Sequence, residues 1–144
     1  MEKIEKNDLV TLEMISANCN CNLNSIDYSP KYGDFAFSSS NLIHIYNLKL
    51  QKTEMTLKGH ALNSRINTVK FLKERITPSL ISVGSDGCIS LWSKEECNGI
   101  YSKFYDIQLK DSINVMDCLY ISETEIYVIC FTGNSLLNFY LIKH

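Results

Sequence analysis

The sequence predicts an all-β fold: about three four-stranded antiparallel blades of an incomplete propeller. Three observations carry that expectation. The chain repeats itself with a period slightly above 40 residues, the repeats resolve into short apolar or alternating strands, and no long amphipathic helix interrupts them. A period of about 40–45 residues is the length of one four-stranded propeller blade.

The repeats are read from three aligned segments. Ile66-Asn67-Thr68-Val69-Lys70-Phe71 matches Leu23-Asn24-Ser25-Ile26-Asp27-Tyr28 before it and Ile113-Asn114-Val115-Met116-Asp117-Cys118 after it, so that Asn24, Asn67 and Asn114 lie 43 and 47 positions apart. A second element follows each: Leu42-Ile43-His44-Ile45-Tyr46, Cys88-Ile89-Ser90-Leu91-Trp92 and Leu136-Leu137-Asn138-Phe139-Tyr140. In the middle copy four strands are expected, over 67–72, 80–84, 89–93 and 100–106. Their runs are wholly apolar or alternate with period two, and turn-forming residues separate them. Pro78 stands before the second strand, where its missing N–H does least harm. Asp86-Gly87 between two apolar runs predicts a tight hairpin with a two-residue primed turn. Ser40-Asn41 and Asn134-Ser135 hold the same place in the other copies with weaker turn chemistry. Residues 1–14 read as a lead-in arm with at most a turn or two of helix, 15–56 as a degenerate first blade, 57–106 as the best-marked blade and 107–144 as a degenerate third.

Composition supports a folded chain and narrows its function. Of 144 residues, 45% are hydrophobic and 21% charged, too apolar for general disorder. A chain of this length buries about 68–70% of its unfolded surface. Fourteen Lys and Arg against sixteen Asp and Glu give a net charge of −2, which excludes a general basic footprint for nucleic acid. No apolar run approaches the roughly 18 residues of a membrane span, so no membrane partner is expected. The charged start, Met1-Glu2-Lys3-Ile4-Glu5-Lys6, does not read as a secretory signal. The expected compartment is the cytoplasm, with the nucleus as the alternative, where thiols stay reduced. The six cysteines contain no C-x-x-C pair. Cys118 and Cys130 sit in apolar runs and read as small hydrophobes. A metal set of Cys19, Cys21 and His60 has the wrong spacing for a zinc knuckle, so neither a metal nor a cofactor is expected.

The middle copy runs Leu57-Lys58-Gly59-His60, then Ile66-Asn67-Thr68-Val69-Lys70-Phe71, then Leu80-Ile81-Ser82-Val83-Gly84-Ser85-Asp86-Gly87-Cys88-Ile89-Ser90-Leu91-Trp92. It resembles a WD repeat, with Gly-His before the first strand, Ser-x-Gly-Ser-Asp-Gly before the third and Trp ending the third. The resemblance implies a buried polar relay. Asp86 would accept from His60, His60 would engage Ser82, and Ser82 would bond the Trp92 indole N–H, with Ser85 as the alternative hydroxyl. A half-paired buried relay costs stability, so its members are expected together or not at all. The flanking copies lack it. The first has Tyr46 for Trp, Ser40 for Asp and no Gly-His, and the third has Asp111-Ser112 for Gly-His and Phe139 or Tyr140 for Trp.

A narrower resemblance covers most of residues 15–144. Ile15-Ser16-Ala17-Asn18-Cys19 leads into Asn24-Ser25-Ile26-Asp27-Tyr28-Ser29, then Phe35-Ala36-Phe37-Ser38-Ser39-Ser40-Asn41-Leu42-Ile43-His44-Ile45-Tyr46 and Leu57-Lys58-Gly59-His60, with Leu91-Trp92-Ser93-Lys94 later. This is similar to the start of the Elongator subunit 2 family of large WD-repeat proteins. The likeness implies a non-catalytic scaffold for protein–protein interactions, with other subunits of an Elongator-type complex as partners. That complex modifies wobble uridines in transfer RNA. The expected surfaces are loops at 31–34, 61–65, 73–77 and 94–99, bearing Lys31, Arg65, Lys73, Arg75 and Lys94. The alternatives are an adaptor of another intracellular complex and a direct RNA-contacting module. Lys70, Lys73 and Arg75 form a small basic cluster that reads as a solvated face. Lys103-Phe104-Tyr105 offers a scrap of RNA-binding pattern, although Phe104 or Tyr105 is better read as packed between blades. A Ser-His-Asp triad of Ser82 or Ser85 with His60 and Asp86 is rejected because the relay explains the same residues, so no catalytic residue is expected.

Propellers close with about 4–8 blades, and about three are legible here. Open ends leave strand edges and apolar faces bare. A fragment of a longer propeller is the favoured expectation. An open arc, or two chains pairing into a six-bladed ring, are the others.

Overall fold

The computed structural model describes residues 19–77 and 79–143. The lead-in arm at 1–14, Pro78 and His144 lie outside the described residues. Eleven strands run in order: β1 (Ile26–Ser29), β2 (Asp34–Ser39), β3 (Leu42–Asn47), β4 (Lys52–Lys58), β5 (Ile66–Phe71), β6 (Ser79–Gly84), β7 (Cys88–Lys94), β8 (Tyr101–Gln108), β9 (Ile113–Ser122), β10 (Glu125–Thr132) and β11 (Leu137–Lys143). They form three antiparallel meanders: β1-β2-β3-β4, β5-β6-β7-β8 and β9-β10-β11. The four strands expected for the middle copy fall within one or two residues of β5 to β8, and the third sheet has three strands among the described residues.

The sheets stack face to face, and two apolar layers join them. The first holds Ala36, Ile43, Ile45 and Leu57 against Ile66, Val69, Leu80, Trp92 and Tyr101. The second holds Ile81, Val83, Ile89 and Leu91 against Ile113, Met116, Ile126, Val128, Cys130 and Ile142. The middle sheet is therefore covered on both faces, and all six residues of β6 are buried. A strand buried on both sides needs apolar or small residues throughout, which is what Ser79-Leu80-Ile81-Ser82-Val83-Gly84 supplies. Full burial of each Leu, Ile or Val contributes about 1.5–3 kcal/mol.

β10 alternates strictly between buried and exposed, because only one face of the third sheet is covered. Its other face is an apolar grid. Read across the strands, the rows are Val115, Phe131, Leu137; Asp117, Ile129, Phe139; and Leu119, Tyr127, Leu141.

Local geometry departs from expectation in two places. The β6–β7 connection is the three residues 85–87 with only Gly87 left-handed (φ 74°), not a two-residue turn with both centres positive. Ser40 and Ser135 take positive φ in the other two hairpins at some strain cost. In β8 a bulge sets Leu91 opposite Tyr105 and Trp92 opposite Lys103, leaving Phe104 as the extra residue. Phe104 and Tyr105 are both more than a third exposed on this outermost strand, rather than packed between blades.

Candidate functional site

The strongest polar constellation lies on the face of the second sheet turned toward the first. Gly59 and His60 follow β4, in the crossing from the outer strand of one sheet to the inner strand of the next. That crossing lays the His60 ring over β6. His60 Nε2 lies 2.9 Å from Ser82 Oγ, and His60 Nδ1 lies 3.1 Å from both oxygens of Asp86. The Trp92 indole N–H donates to Ser82 Oγ at 3.0 Å. Asp86 also accepts the backbone N–H groups of Ala61 (2.9 Å) and Cys88 (3.1 Å). Proton directions follow from these partners. A carboxylate only accepts, so Nδ1 carries the ring proton, Nε2 accepts the Ser82 hydroxyl, and Ser82 accepts from Trp92. Every member is then satisfied with a neutral imidazole.

The electrostatics agree with that assignment. Burial pulls the His60 pKa down, and the Asp86 carboxylate offsets only part of this, so the ring ends below its ordinary value. Burial pushes the Asp86 carboxyl up, but the Ala61 N–H, His60 and the Cys88 N–H outweigh it and hold the group below its ordinary range. Ser82 is wholly buried, and the His60 side chain is 0% exposed. Both His60 nitrogens are engaged, which leaves none for a metal site with the exposed Cys19 and Cys21. Ser85, the alternative hydroxyl, instead accepts the Arg65 backbone N–H at 2.8 Å.

Register shows what stands at the relay positions in the other sheets. Ser82 lies two residues beyond Leu80, the partner of Trp92, and the same count in the first sheet places Phe37 beyond Phe35, the partner of Tyr46. In the third sheet it places Cys130 beyond Val128, the partner of Tyr140, so Tyr140 and not Phe139 matches Trp92. Phe37 packs on His44 (ring centroids 5.2 Å apart), and Cys130 is wholly buried with its thiol pushed up to about 11 by burial.

The loop cations are less free than their sequence positions suggest. Lys70 pairs with Asp117 at 2.6 Å, Lys73 with Asp27 at 3.1 Å, and Arg75 Nε with Glu123 at 3.2 Å. The basic cluster of the middle sheet is thus bound by acids of both neighbours. Arg75 is buried, not solvated: its Nη2 donates to the Glu123 carbonyl at 3.1 Å, and its guanidinium lies over the Phe104 ring. Lys94 is also drawn inward, to the buried Asp34 (3.4 Å) and to Glu54 (3.3 Å), over the ring of Tyr101. Burial, then the Asp34 carboxylate, pushes the Tyr101 hydroxyl well up, so it stays protonated and donates to Asp34. Lys31 donates to the Arg75 carbonyl at 3.2 Å. The acids Asp27, Asp34, Asp117 and Glu123 are the residues that sequence reasoning missed. A signal existed for two of them: Asp27, Lys70 and Asp117 hold the same place in the aligned repeats and alternate in sign.

Arg65 remains exposed, at the edge of an open groove of about 610 Å³ lined by Asn20, Ser39, Ser40, Leu62, Asn63, Ser64 and Ser85. The 61–65 loop beside it is pinned at both ends, by Ala61 N–H on Asp86 and by Arg65 N–H on Ser85. Between the pins Leu62 is 88% exposed.

No family model matches the sequence, and no curated protein matches it. Among solved structures, the WD40 domain of SCAP from fission yeast is similar at 21% identity and a TM-score of 0.61, with 85% of this chain and 31% of that chain covered. The β-propeller domain of Myceliophteria thermophila Cps50 (Swd1) is similar at 12% identity and a TM-score of 0.63, covering 89% of this chain and 38% of that one. Chaetomium thermophilum Raptor matches at 13% identity and a TM-score of 0.57, over 87% of this chain and 12% of that chain. The chain spans about a third of the length of the SCAP and Swd1 chains. At these identities the likeness is one of fold: the three sheets are blades of a WD40 β-propeller, fewer than a closed ring holds.

Proposed function

We propose that this chain is a non-catalytic WD-repeat scaffold that binds other proteins through the loops of the first and second blades. One observation carries the reading. The buried polar groups that could pass for a triad are spent on one another, and through Asp86 they pin the loop that presents Leu62 and Arg65. A rigid loop carrying an apolar tip beside a cation suits a protein surface better than a small substrate. The solved complex of the fission yeast SREBP-SCAP binding domains offers a precedent for a WD40 domain with a protein partner. Direct RNA contact is the weaker reading, because Lys70, Lys73 and Arg75 are already paired.

The finer proposal is the Elongator subunit 2 role, in assembly of the complex that modifies wobble uridines in transfer RNA. It rests on the residue-level resemblance of 15–144. A cytoplasmic location, with a nuclear pool as the alternative, is proposed with it. The test is quantitative co-purification of the other Elongator subunits with the wild-type chain and with Leu62→Asp and Arg65→Glu. The scaffold reading expects bound subunits to fall at least tenfold with folding unchanged. Undiminished recovery overturns the loop assignment. Tight transfer-RNA binding that weakens steeply with salt would favour the RNA reading instead.

A further inference from the structure

We propose, resting on the scaffold reading above, that the groove between the first and second sheets takes one Asp or Glu side chain from an extended segment of a partner protein, with an apolar residue beside it. The observation is the state of the loop cations. Lys73, Arg75 and Lys94 are paired with acids, and Lys31 is bonded to a carbonyl. Among the described residues the Arg65 side chain has no partner, although it stands exposed beside a groove of about 610 Å³. No carboxylate lines that groove. Asp86, beneath the loop, is 11% exposed and already accepts from Ala61, His60 and Cys88. The groove lies in the seam of two sheets that cover one another, with Ser39 and Ser40 on one side and Ser85 on the other, so it belongs to neither outward face.

Geometry and charge fit this occupant. Arg65 is held at both backbone groups: its N–H donates to Ser85 Oγ at 2.8 Å, and its carbonyl accepts the Ser85 N–H at 2.8 Å. That approach needs Gly84, because a Cβ there would meet the Arg65 carbonyl oxygen and His60 Nδ1 at 3.0 Å each. Ser64 donates its N–H and its hydroxyl to the Ala61 carbonyl, which closes the turn that carries Leu62. A cation and an apolar tip fixed in this way lose little freedom on binding. A guanidinium fork takes a carboxylate in two parallel hydrogen bonds. The Ser39 and Ser40 hydroxyls and the Asn63 amide, which carry no other hydrogen bond among the described residues, add donors to the same groove. Charge decides among anions. One cation balances one carboxylate, whereas a phosphoryl group brings about −1.5 to −2. A single RNA strand is held by aromatic platforms, and no Phe, Tyr or Trp lines the groove. The exposed Leu62 tip then covers an apolar neighbour of the acid.

The test immobilises the full chain at low density and flows short peptides over it, capped at both ends so that the side chain is the only carboxylate. Gly-Leu-Glu-Leu-Gly should bind with a Kd of about 0.1–1 mM, and Gly-Leu-Gln-Leu-Gly at least tenfold more weakly. Arg65→Glu should reverse the preference, losing the Glu peptide and gaining Gly-Leu-Lys-Leu-Gly, with Trp92 emission unchanged. If Arg65→Glu does not fold, Arg65→Gln should still abolish discrimination between Glu and Gln. Leu62→Ser should weaken the Glu and Gln peptides alike. Lys49→Glu, at the opposite end of the first sheet, should leave binding intact. Equal binding of the Glu and Gln peptides, no effect of Arg65→Glu, or no binding up to about 5 mM would each overturn the proposal. So would a phosphoserine peptide or oligouridylate that binds more tightly through Arg65. The scaffold reading fails separately. Partner capture that depends on Leu62 and Arg65 without Glu-peptide binding would leave the scaffold and remove the acidic occupant. Capture indifferent to both residues, beside Arg65-dependent Glu-peptide binding, would do the reverse.

Discussion

Ser82→Ala is the sharpest single test of the buried relay. The hydroxyl joins two other members, so removing it leaves both the Trp92 indole N–H and His60 Nε2 without a partner. Both sites are closed to water, with Trp92 3% exposed and the His60 side chain 0%. A buried polar group that loses its partner costs about 1–3 kcal/mol, so two give about 2–6 kcal/mol. Set against a typical domain stability of about 5–15 kcal/mol, that is a large fraction. For a chain of this length a loss of about 3 kcal/mol lowers Tm by roughly 10 °C. Trp92 is the only tryptophan in the sequence, so urea unfolding followed by its emission reads the relay directly. Ser90→Ala is the matched control. Ser90 lies opposite Ser82 on β7, is equally buried, and its hydroxyl hydrogen-bonds only with the Cys88 sulfur among the described residues. A Ser82→Ala midpoint no lower than that of Ser90→Ala would refute the relay. In a Trp92→Phe background, followed by circular dichroism, the cost of Ser82→Ala should shrink by about 1–3 kcal/mol, since only His60 is then orphaned.

Five other outcomes are expected. His60→Ala should cost about 1–3 kcal/mol in thermal melting, because Asp86 keeps its two backbone donors. The wild-type chain should lose stability as pH falls from about 6.5 toward the lowered His60 value, since the unfolded chain takes up a proton that the folded ring refuses. The contribution is fully present above about pH 6.5. His44, also lowered by burial, adds the same sign, so His60→Ala should flatten the pH profile in part. Gly59→Ala should destabilise by about 1–3 kcal/mol, because a Cβ there would meet the Trp92 ring at 2.4 Å and 2.7 Å. Arg75→Ala should cost more in urea unfolding than Lys70→Ala, which removes an exposed pair contributing about 0–1 kcal/mol. A thiol reagent on the native protein should find Cys19, Cys21 and Cys97 quickly. Cys88, Cys118 and Cys130 should react only on unfolding, their thiols all raised by burial.

Much of the fold was legible because its signals are local. Period-two alternation, turn residues and the repeat of Asn-containing first strands marked the elements, and these depend on neighbours in sequence. The relay geometry was legible for a related reason, since Gly59-His60, Ser82, Asp86 and Trp92 keep a spacing that one blade imposes by itself. The fate of the cations was not. Arg75 looks like a loop charge until the third sheet brings Glu123 and the bulge brings Phe104, and no window around residue 75 contains either. Lys94 is similar, because Asp34 and Glu54 reach it across 60 and 40 residues. The bulge itself has no composition signal, so the outward placement of Phe104 and Tyr105 is not legible in the sequence.

The three sheets also show why the relay occurs once. Its members are mutually dependent: Trp92 needs the Ser82 oxygen, Ser82 needs an acceptor for its own proton, and neutral His60 needs Asp86 to hold that proton on Nδ1. Keeping one or two of them in a buried layer would leave a donor or acceptor unpaired, which is worse than an apolar core. The flanking sheets avoid the intermediate case. The first fills the hydroxyl position with Phe37 and the indole position with Tyr46, both nearly buried, and the third uses Cys130 and Tyr140. Neither retains a Gly-His crossing. The consequence reaches the surface, because only the relay carries Asp86 to the Ala61 N–H. The loop between the first and second blades is therefore clamped by a buried network, while the crossing into the third rests on other bonds, such as Asn67 to the Ile113 carbonyl at 2.7 Å. If rigidity of a loop is what a protein partner reads, the second blade is where this chain presents it.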